Sequence, residues 1–321
     1  MKTIKTQVVN KVFAGNTLLL LISAVMLWGC TTGGPSRSLE GIRIIDTHIH
    51  LYDATRAAGV DWPPPSDKVL FRPVLPEHYD AICRVNGIES TVIVEASSRV
   101  EDNQWVLDLV KHNPERYAAL VGNLPIGSDA FGGLLERFAK DPRFVGIRMR
   151  DRPGGDAFFT DAVWRDLALL SKKGLVLDVL LADFTLEDVI TVAERLPELK
   201  IMINHLTGLT ITGQAAEDDW SDTVRRAAAH ANLHCKVSGI FQRSGQMPAP
   251  KALSYYAPIF EVVYEAFGED RIIYGSNWPV TDRGGRYAEQ LAIIHEFFAP
   301  EGERVLRKLF AFNAQKFYGL K

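Results

Sequence analysis

The feature that most constrains the fold is an alternation, from residue 42 onward, of short β-branched runs with longer amphipathic stretches. This alternation is typical of a parallel sheet whose strands are connected by helices. Eight such runs occur, and most are nearly continuous in apolar residues, as expected for strands covered on both faces. The predicted strands are residues 43–51, 91–96, 117–124, 144–150, 175–181, 200–206, 233–239 and 271–276.

Two of the stretches between the strands carry clear helical periodicity, because their apolar residues recur at the i, i+3, i+4 spacing of one buried helix face. These residues are Leu186, Val189, Ile190, Ala193 and Leu196 in the first stretch and Tyr287, Leu291, Ile294 and Phe298 in the second. An open, doubly wound sheet would usually show a Gly-rich phosphate turn after its first strand, whereas here that strand ends in histidine. The predicted fold is therefore α/β, a single closed (β/α)₈ or TIM barrel over residues 42–321.

The amino-terminal residues have a different character from the rest. Three lysines precede an apolar run over residues 17–29, which is shorter than the ~20 residues that span a bilayer. The run ends in Leu-Trp-Gly-Cys, which resembles a bacterial lipoprotein cleavage box and predicts a lipid on Cys30. Residues 1–29 are then a signal peptide and residues 30–41 a flexible tether. A plain signal peptide cut nearby and an uncleaved anchor remain alternatives.

These features predict an exported, membrane-anchored lipoprotein that faces the periplasm or the cell exterior and contacts the membrane only through Cys30. The composition argues against a nucleic-acid partner, because 36 Lys and Arg stand against 39 Asp and Glu without a basic run. The expected partner is a small-molecule substrate, and the sequence gives no indication of oligomeric state. Cys83 and Cys235 lie in apolar patterns and are expected to be buried free thiols.

Histidines stand where two of the predicted strands end. The first strand closes with Asp46-Thr47-His48-Ile49-His50, and side-chain alternation predicts that Asp46, His48 and His50 share the face toward the barrel axis. His205 ends the sixth strand. Three imidazoles at one rim can bind a divalent cation, orient a carbonyl or stabilise an oxyanion. The sequence therefore predicts one site at the carboxyl ends of the strands.

Basic residues on two other strands are further candidates. Arg148 and Arg150 alternate onto one face of the fourth strand, where a guanidinium could grip a substrate carboxylate. The alternative is a salt bridge to Asp151 or another rim carboxylate. Lys236 in the seventh strand could polarise a carbonyl, or it could instead pair with Asp178 on the fifth strand.

A long segment over residues 52–76, which contains five prolines, forms the predicted first βα loop. In barrels of this class such loops build the active site, so the segment is expected to lie over the pocket as a partial lid. A surface excursion without a role is the alternative.

Short motifs distributed over the whole barrel resemble the amidohydrolase-2 family, and within it the sugar-acid lactonases related to fuconolactonase and 2-pyrone-4,6-dicarboxylate lactonase. The motifs are residues 46–50, Phe144-Val145-Gly146-Ile147-Arg148, Ile203-Asn204-His205-Leu206, Cys235-Lys236-Val237-Ser238-Gly239, Tyr274-Gly275-Ser276-Asn277-Trp278-Pro279-Val280 and residues 313–320. The resemblance implies an enzyme in which water attacks the ester carbonyl of a small sugar-acid or related lactone. The histidines and Lys236 would then polarise the carbonyl, and Arg148 and Trp278 would contact the substrate.

The sequence departs from the family at Asn277, where the eighth strand ordinarily carries the aspartate that activates water. An amide cannot accept a proton at any useful pH, and a general base typically contributes ~10²- to 10⁴-fold to the rate. Another base must therefore substitute, or hydrolysis is weak. Asp282 in the same loop, Glu95 at the end of the second strand and a rim histidine are the candidates.

The resemblance leaves cofactor and activity open. The loss of one carboxylate favours a reaction that requires no metal, and the alternative is one divalent metal such as zinc held by His48, His50 and His205. A non-catalytic ligand-binding barrel that has lost its strand-eight base is a second possibility. A metal-dependent decarboxylase or amide hydrolase on the same fold is a third.

Overall fold

In a computed structural model of the protein, which describes residues 39–152 and 155–321, eight parallel strands pair in chain order to form a nearly closed barrel. The strands are Ile44–Ile49 (β1), Ile88–Val94 (β2), Tyr117–Gly122 (β3), Phe144–Met149 (β4), Val176–Val179 (β5), Ile201–Ile203 (β6), Leu233–Val237 (β7) and Ile272–Tyr274 (β8). The predicted TIM barrel is thus confirmed. β2 begins three residues before the prediction, because the polar pair Glu89 and Ser90 interrupts its apolar run.

Helices follow each strand and cover the outside of the barrel. They are Pro76–Asn86 (α1), Glu101–Leu109 (α2), Phe131–Phe138 (α3), Asp161–Lys172 (α4), Leu186–Arg195 (α5), Asp218–Ala228 (α6), Ala257–Phe267 (α7), Tyr287–Phe298 (α8), Glu303–Arg307 (α9) and Asn313–Tyr318 (α10). α5 and α8 are the two helices that the periodicity predicts, and the faces expected to be apolar pack against the barrel.

The barrel closes between β1 and the segment that follows β8. The backbone nitrogen of His50 donates to the carbonyl oxygen of Trp278 at 2.9 Å, and that of Asn277 donates to His48 at 2.7 Å. The hydroxyl of Thr47 donates to the carbonyl oxygen of Tyr274 at 2.6 Å. Closure therefore places the end of β1 and the residues after β8 side by side at the carboxyl-terminal rim.

Alternate residues of the strands form two apolar clusters. One set packs against the surrounding helices, and the other fills the inside of the barrel. Ala311, Ala314, Phe317 and Tyr318, from the carboxyl-terminal segment that includes α10, join the inner cluster. Because the carbonyl oxygen of Phe317 accepts a hydrogen bond from Lys200, at the start of β6, this segment closes the end of the barrel opposite the predicted site.

The first βα loop returns on itself. Tyr52 and Val74 pair through two backbone hydrogen bonds, of 3.0 and 2.7 Å, and enclose residues 53–73, which we call the cap loop. The pairing fixes the base of the loop beside the end of β1.

The predicted signal peptide over residues 1–29, Cys30 and the tether up to residue 38 lie outside the described residues. Leu39, near the end of the predicted tether, is already buried in the outer cluster. Within the described part of the chain, no helix has both the length and the apolar character needed to cross a membrane.

Candidate active site

The end of β1 supplies two imidazoles. His48 and His50 are buried inside the barrel with ring centroids 5.0 Å apart. Asp46 does not share their face, because its Oδ2 accepts hydrogen bonds from Tyr79 of α1 at 2.8 Å and Tyr287 of α8 at 2.9 Å. The register with β2 shifts after Asp46, and such an irregularity re-aims the side chains that follow. The expectation of one shared face is therefore wrong for Asp46.

The third imidazole comes from the turn after β6. The ring centroid of His205 lies 4.5 Å from that of His48, and its Nδ1 lies 2.8 Å from the Ser238 hydroxyl. Its backbone is left-handed, with φ 54°. Gly239 is also left-handed, and a Cβ there would lie 2.8 Å from Nδ1 of His205. Only glycine at this position leaves room for the ring.

Burial lowers the pKa of all three imidazoles. For His48 the value falls well below the ordinary one, with a smaller contribution from His205. For His50, burial and then the Arg148 guanidinium lower the pKa to about 3. For His205, burial and then the positive charge of Arg243 lower it well below its usual range. The cluster is therefore neutral near pH 7, a state in which an imidazole can accept a proton.

The three rings differ in what they contact. Nδ1 of His50 lies 3.0 Å from the carbonyl oxygen of Val94 and 3.1 Å from that of Glu95. Its Nε2 lies 3.2 Å from Oδ1 of Asn277. Both ring nitrogens of His48 are buried without a hydrogen-bond partner within the part of the chain that the structure describes. His48 is therefore the imidazole best able to contact a ligand.

Asn277 follows β8 in a left-handed conformation, with φ 58°, which asparagine adopts more readily than most residues. Its side-chain amide contacts His50 on one side and the amide of Gln242 on the other. The structure thus brings together His48, His50, His205 and Asn277, as predicted. Gln242 lies in the loop after β7, where no periodicity or charge pattern singles it out.

The arginines at the end of β4 pair with rim carboxylates. Nε of Arg148 donates to Oε1 of Glu95 at 2.7 Å, and Nη2 donates to the Glu95 backbone oxygen at 2.9 Å. Arg150 donates to Asp151 at 3.0 Å. Among the described residues, the buried Oε2 of Glu95 has no hydrogen-bond partner. Both arginines therefore form salt bridges with rim carboxylates, which is the alternative to substrate binding, and Oε2 of Glu95 remains available as an acceptor.

Lys236 is likewise held by protein groups. Its Nζ lies 2.8 Å from Oδ2 of Asp178, both side chains are fully buried, and it also donates to the carbonyl oxygen of Thr47 at 3.1 Å. The hydroxyl of Tyr318 donates to Oδ1 of Asp178 at 3.1 Å. Pairing with Asp178 is thus the arrangement found, so the substrate-binding role expected of Lys236 has no support in its contacts.

The contacts of Asp282 and Trp278 do not match the roles expected of them, which were general base for Asp282 and substrate contact for Trp278. Oδ2 of Asp282 accepts a hydrogen bond from Arg72 of the cap loop at 3.1 Å, and burial raises the pKa of this carboxyl. Trp278 is only 2% exposed, and its ring centroid lies 5.3 Å from that of Tyr79 in α1. Asp282 therefore fastens the cap loop, and Trp278 packs toward the helix layer.

The cap loop lies over the histidines. The ring of Trp62 makes an edge contact with His50 at a centroid distance of 5.5 Å. A second ion pair, between Asp67 and Arg283, joins this loop to the loop after β8, next to the Asp282 contact. The position over the site agrees with the predicted lid.

The same atoms do not form a metal site. Within residues 39–152 and 155–321, no three His, Cys, Asp or Glu side chains are arranged to hold a metal ion. The segment after β8 offers the uncharged amide of Asn277 in place of a carboxylate, and this amide occupies Nε2 of His50. The alternative zinc site on His48, His50 and His205 does not match this arrangement.

Comparison with known proteins gives consistent matches over most of the chain. A family model described as amidohydrolase matches residues 45–320. An L-fucono-1,5-lactonase from Burkholderia ambifaria is 29% identical over 283 residues, which cover 85% of this chain and 94% of that protein. An L-fucono-1,5-lactonase from Burkholderia multivorans is 26% identical over 265 residues, which cover 79% and 88% of the two chains.

Solved structures match the same region. A crystal structure of an amidohydrolase from Burkholderia multivorans with bound HEPES has a TM-score of 0.79 and 22% identity, and it covers 87% of this chain and 100% of the other. A structure with the same description but with bound zinc has a TM-score of 0.77 and 24% identity over the same shares. At these identities the likeness shows the barrel fold.

Proposed function

The chain belongs to the amidohydrolase family, and on this premise we propose that it hydrolyses the ester bond of a small sugar-acid lactone or a lactone of a related carboxylic acid. Two relatives that align with most of its length are named as lactonases. The observation that carries the proposal is the cluster of three neutral imidazoles under the cap loop, in which both ring nitrogens of His48 lack a partner among the described residues.

In the proposed reaction, His48 accepts a proton from water while the water oxygen attacks the lactone carbonyl. The tetrahedral intermediate then expels the ring oxygen, which takes the proton back from His48, and the product is the open hydroxy acid. The His48 ring is already deprotonated near pH 7 and its nitrogens have no partner among the described residues, so a ring nitrogen is available to accept the proton. Glu95, whose Oε2 has no partner within the described residues, is the second candidate base.

Arg243 provides a group for the polar end of the substrate. This half-buried guanidinium lies near His205, where it lowers the pKa of that ring, and its Nη1 donates to the carbonyl oxygen of Gly208 at 2.8 Å. Among the residues that the structure describes, its Nε has no hydrogen-bond partner and the guanidinium forms no ion pair. A carboxylate or hydroxyl of a sugar acid would satisfy these donors.

Replacement of His48 by Gln tests the proposal. We expect kcat/KM on a lactone from a sugar-acid and aromatic-acid panel to fall by ~10²- to 10⁴-fold. His234→Gln is the matched control, because His234 is a mostly buried histidine at the opposite end of the barrel, and this variant should keep its activity. Full activity of His48→Gln would overturn the role of His48. Ligand binding without turnover of any lactone would support the ligand-binding barrel instead.

We also propose that the reaction needs no bound metal. The support is the uncharged Asn277 amide that contacts Nε2 of His50, and the lack, among the described residues, of three His, Cys, Asp or Glu side chains arranged to hold a metal. Metal analysis of protein purified without chelator should find less than one zinc per chain, and chelation should leave turnover unchanged. Stoichiometric zinc that is lost together with activity would refute this proposal.

We further propose that the protein is an exported lipoprotein anchored through Cys30. The support is the basic, apolar and small-residue pattern of residues 1–30. Cys30→Ser should abolish lipid labelling and move the protein out of the membrane fraction. A variant that stays lipid-labelled would contradict the anchor.

A further inference from the structure

The contacts of His50 determine where its proton lies. Nδ1 faces two backbone carbonyl oxygens, of Val94 and Glu95, and carbonyl oxygens only accept hydrogen bonds. Nδ1 must therefore carry a hydrogen. This assignment follows from the chemistry of the partners and does not depend on the other ring nitrogen.

The second nitrogen, Nε2, carries no hydrogen when the ring is neutral. His50 is 3% exposed, and the charge of the Glu95 carboxylate is offset by the Arg148 guanidinium that pairs with it, whose positive charge itself disfavours an imidazolium here. Its titratable neighbours His48 and His205 are also neutral, because burial lowers the pKa of both rings. A buried positive charge without a partner is costly, so the neutral ring is the stable form. Nε2 is then a hydrogen-bond acceptor.

This conclusion conflicts with the amide as it is oriented. Oδ1 of Asn277 stands 3.2 Å from Nε2, which would place one acceptor against another. The oxygen and nitrogen of a side-chain amide are distinguished by their hydrogen-bond partners rather than by shape. Rotation of the amide by half a turn places Nδ2 against Nε2 and gives a normal hydrogen bond.

The rotation requires a donor on the other side of Asn277. Only the amide of Gln242 contacts that side among the hydrogen bonds of the described residues. An amide can donate as well as accept, so Gln242 can rotate in the same way and present Nε2 to Oδ1 of Asn277. All the hydrogen bonds then run in one direction, from Gln242 through Asn277 and His50 to the backbone of β2.

We propose that Gln242 is a positioning residue that turns the Asn277 amide so that Nδ2 donates to His50. Asn277 is then a neutral hydrogen-bond donor. Its hydrogen bond occupies the lone pair on Nε2 of His50, so this ring does not act as the base. Because an amide nitrogen carries two hydrogens, the second can be donated to a substrate oxygen. This last step rests on the proposed lactone hydrolysis, whereas the orientation of the amides does not.

The protonation of His50 tests the orientation directly. Nitrogen NMR on histidine-labelled wild-type protein should show a protonated Nδ1 and an unprotonated Nε2 for His50 between pH 5 and 7, assigned with a His50→Gln variant, and a protonated Nε2 would overturn the proposal. Two protonated nitrogens would mean that the amide oxygen faces an imidazolium, and the proposal would be overturned without any variant of Gln242.

Gln242→Glu adds a test with a definite sign. A carboxylate cannot donate to Asn277, so the Asn277 amide should turn back, place its oxygen against Nε2 and raise the pKa of His50 by about 1 to 3. Gln246→Glu, on an exposed side chain four residues along the same loop, should leave that pKa unchanged. An unchanged pKa in Gln242→Glu would overturn the role of Gln242.

Gln242→Met covers the case in which Gln242→Glu fails to fold. It removes the donor without adding charge, so His50 should stay neutral while kcat falls more than KM changes. An unaltered kcat on a lactone that the wild type hydrolyses would overturn the positioning role. If no lactone is hydrolysed by any form, the proposed function fails, and the NMR result still decides the orientation.

Discussion

Asn277 occupies the position at which one atom determines whether the eighth strand contributes a charge. An ionised aspartate accepts hydrogen bonds and carries a negative charge, whereas an asparagine donates and is neutral. The surrounding backbone is unaffected by this difference, because the left-handed conformation and the hydrogen bond to His48 suit either side chain.

Asn277→Asp should therefore lower activity. The carboxylate would remove the donor to His50 and favour a charged imidazole in its place. We expect kcat/KM on an accepted lactone to fall by ~10-fold or more, by analogy with the loss of a positioned donor. A gain in rate would instead indicate a site that had merely lost its base.

Gly239→Ala tests the space that His205 requires. An added Cβ would lie 2.8 Å from Nδ1 of His205, so the ring should move and lactone hydrolysis should fall by ~10-fold or more. Gly87→Ala is the matched control, because its φ is also positive but nothing lies within 4 Å of the added Cβ. Both variants should lose ~1 kcal/mol of unfolding free energy from the left-handed backbone, measured by urea denaturation. Equal activities would contradict the steric explanation.

Single residues also mark the limit of what the sequence predicts at this site. His48, His50 and His205 could be placed because strand ends and their order define a common rim. The pairing of Arg148 with Glu95 and of Lys236 with Asp178 joins alternate strands at one height inside the barrel, and alternation along one strand does not decide between such a pair and a free side chain. Gln242 could not be found at all, since an uncharged residue in an irregular loop carries no pattern.

Among the elements, β1 and the cap loop show how short irregularities control the site. The register shift in β1 turns Asp46 away from the histidines, so that its side chain accepts hydrogen bonds from the tyrosines of α1 and α8. Oδ1 of the same carboxylate accepts hydrogen bonds from the backbone nitrogens of His48, at 3.1 Å, and Ser276, at 2.7 Å. Asp46 thus links β1 to the segment after β8 from the outer face.

Removal of the Trp62 ring should affect substrate binding more than chemistry. This ring covers His50, and the three histidines are at most 3% exposed. We expect Trp62→Ala to raise KM by ~10-fold, about the effect of losing one well-packed contact in a binding pocket. Phe71→Ala is the control, because this side chain lies in the same loop but is exposed. An equal KM in the two variants would argue against a lid.

For the molecule as a whole, buried neutral histidines make the free energy of unfolding depend on pH. His234 at the start of β7 packs on Phe317, and burial lowers its pKa to about 4. The unfolded chain takes up a proton near the ordinary pKa of about 6.5, before the folded chain can do so. The stability that His234 contributes is therefore fully present above pH 6.5 and is lost as the pH falls toward 4.

His234→Gln should remove part of this dependence. The wild type should lose on the order of 3 kcal/mol of unfolding free energy through this residue between pH 6.5 and 4. Urea denaturation at several pH values should show a shallower decline for the variant. His112→Gln, on an exposed side chain, should follow the wild type. Parallel curves for all three proteins would refute the linkage.

The carboxyl-terminal segment inside the barrel has a consequence for biosynthesis. Phe317 and Tyr318 complete an inner cluster to which β1 contributes Ile45, so the first strand and the last helix share one core. A nascent chain cannot complete that core until residues 311–318 have left the ribosome. Because domains fold as units, the barrel should stay open during almost all of its synthesis. If the chain is exported as proposed, this delay would keep it unfolded enough to pass through a translocation channel.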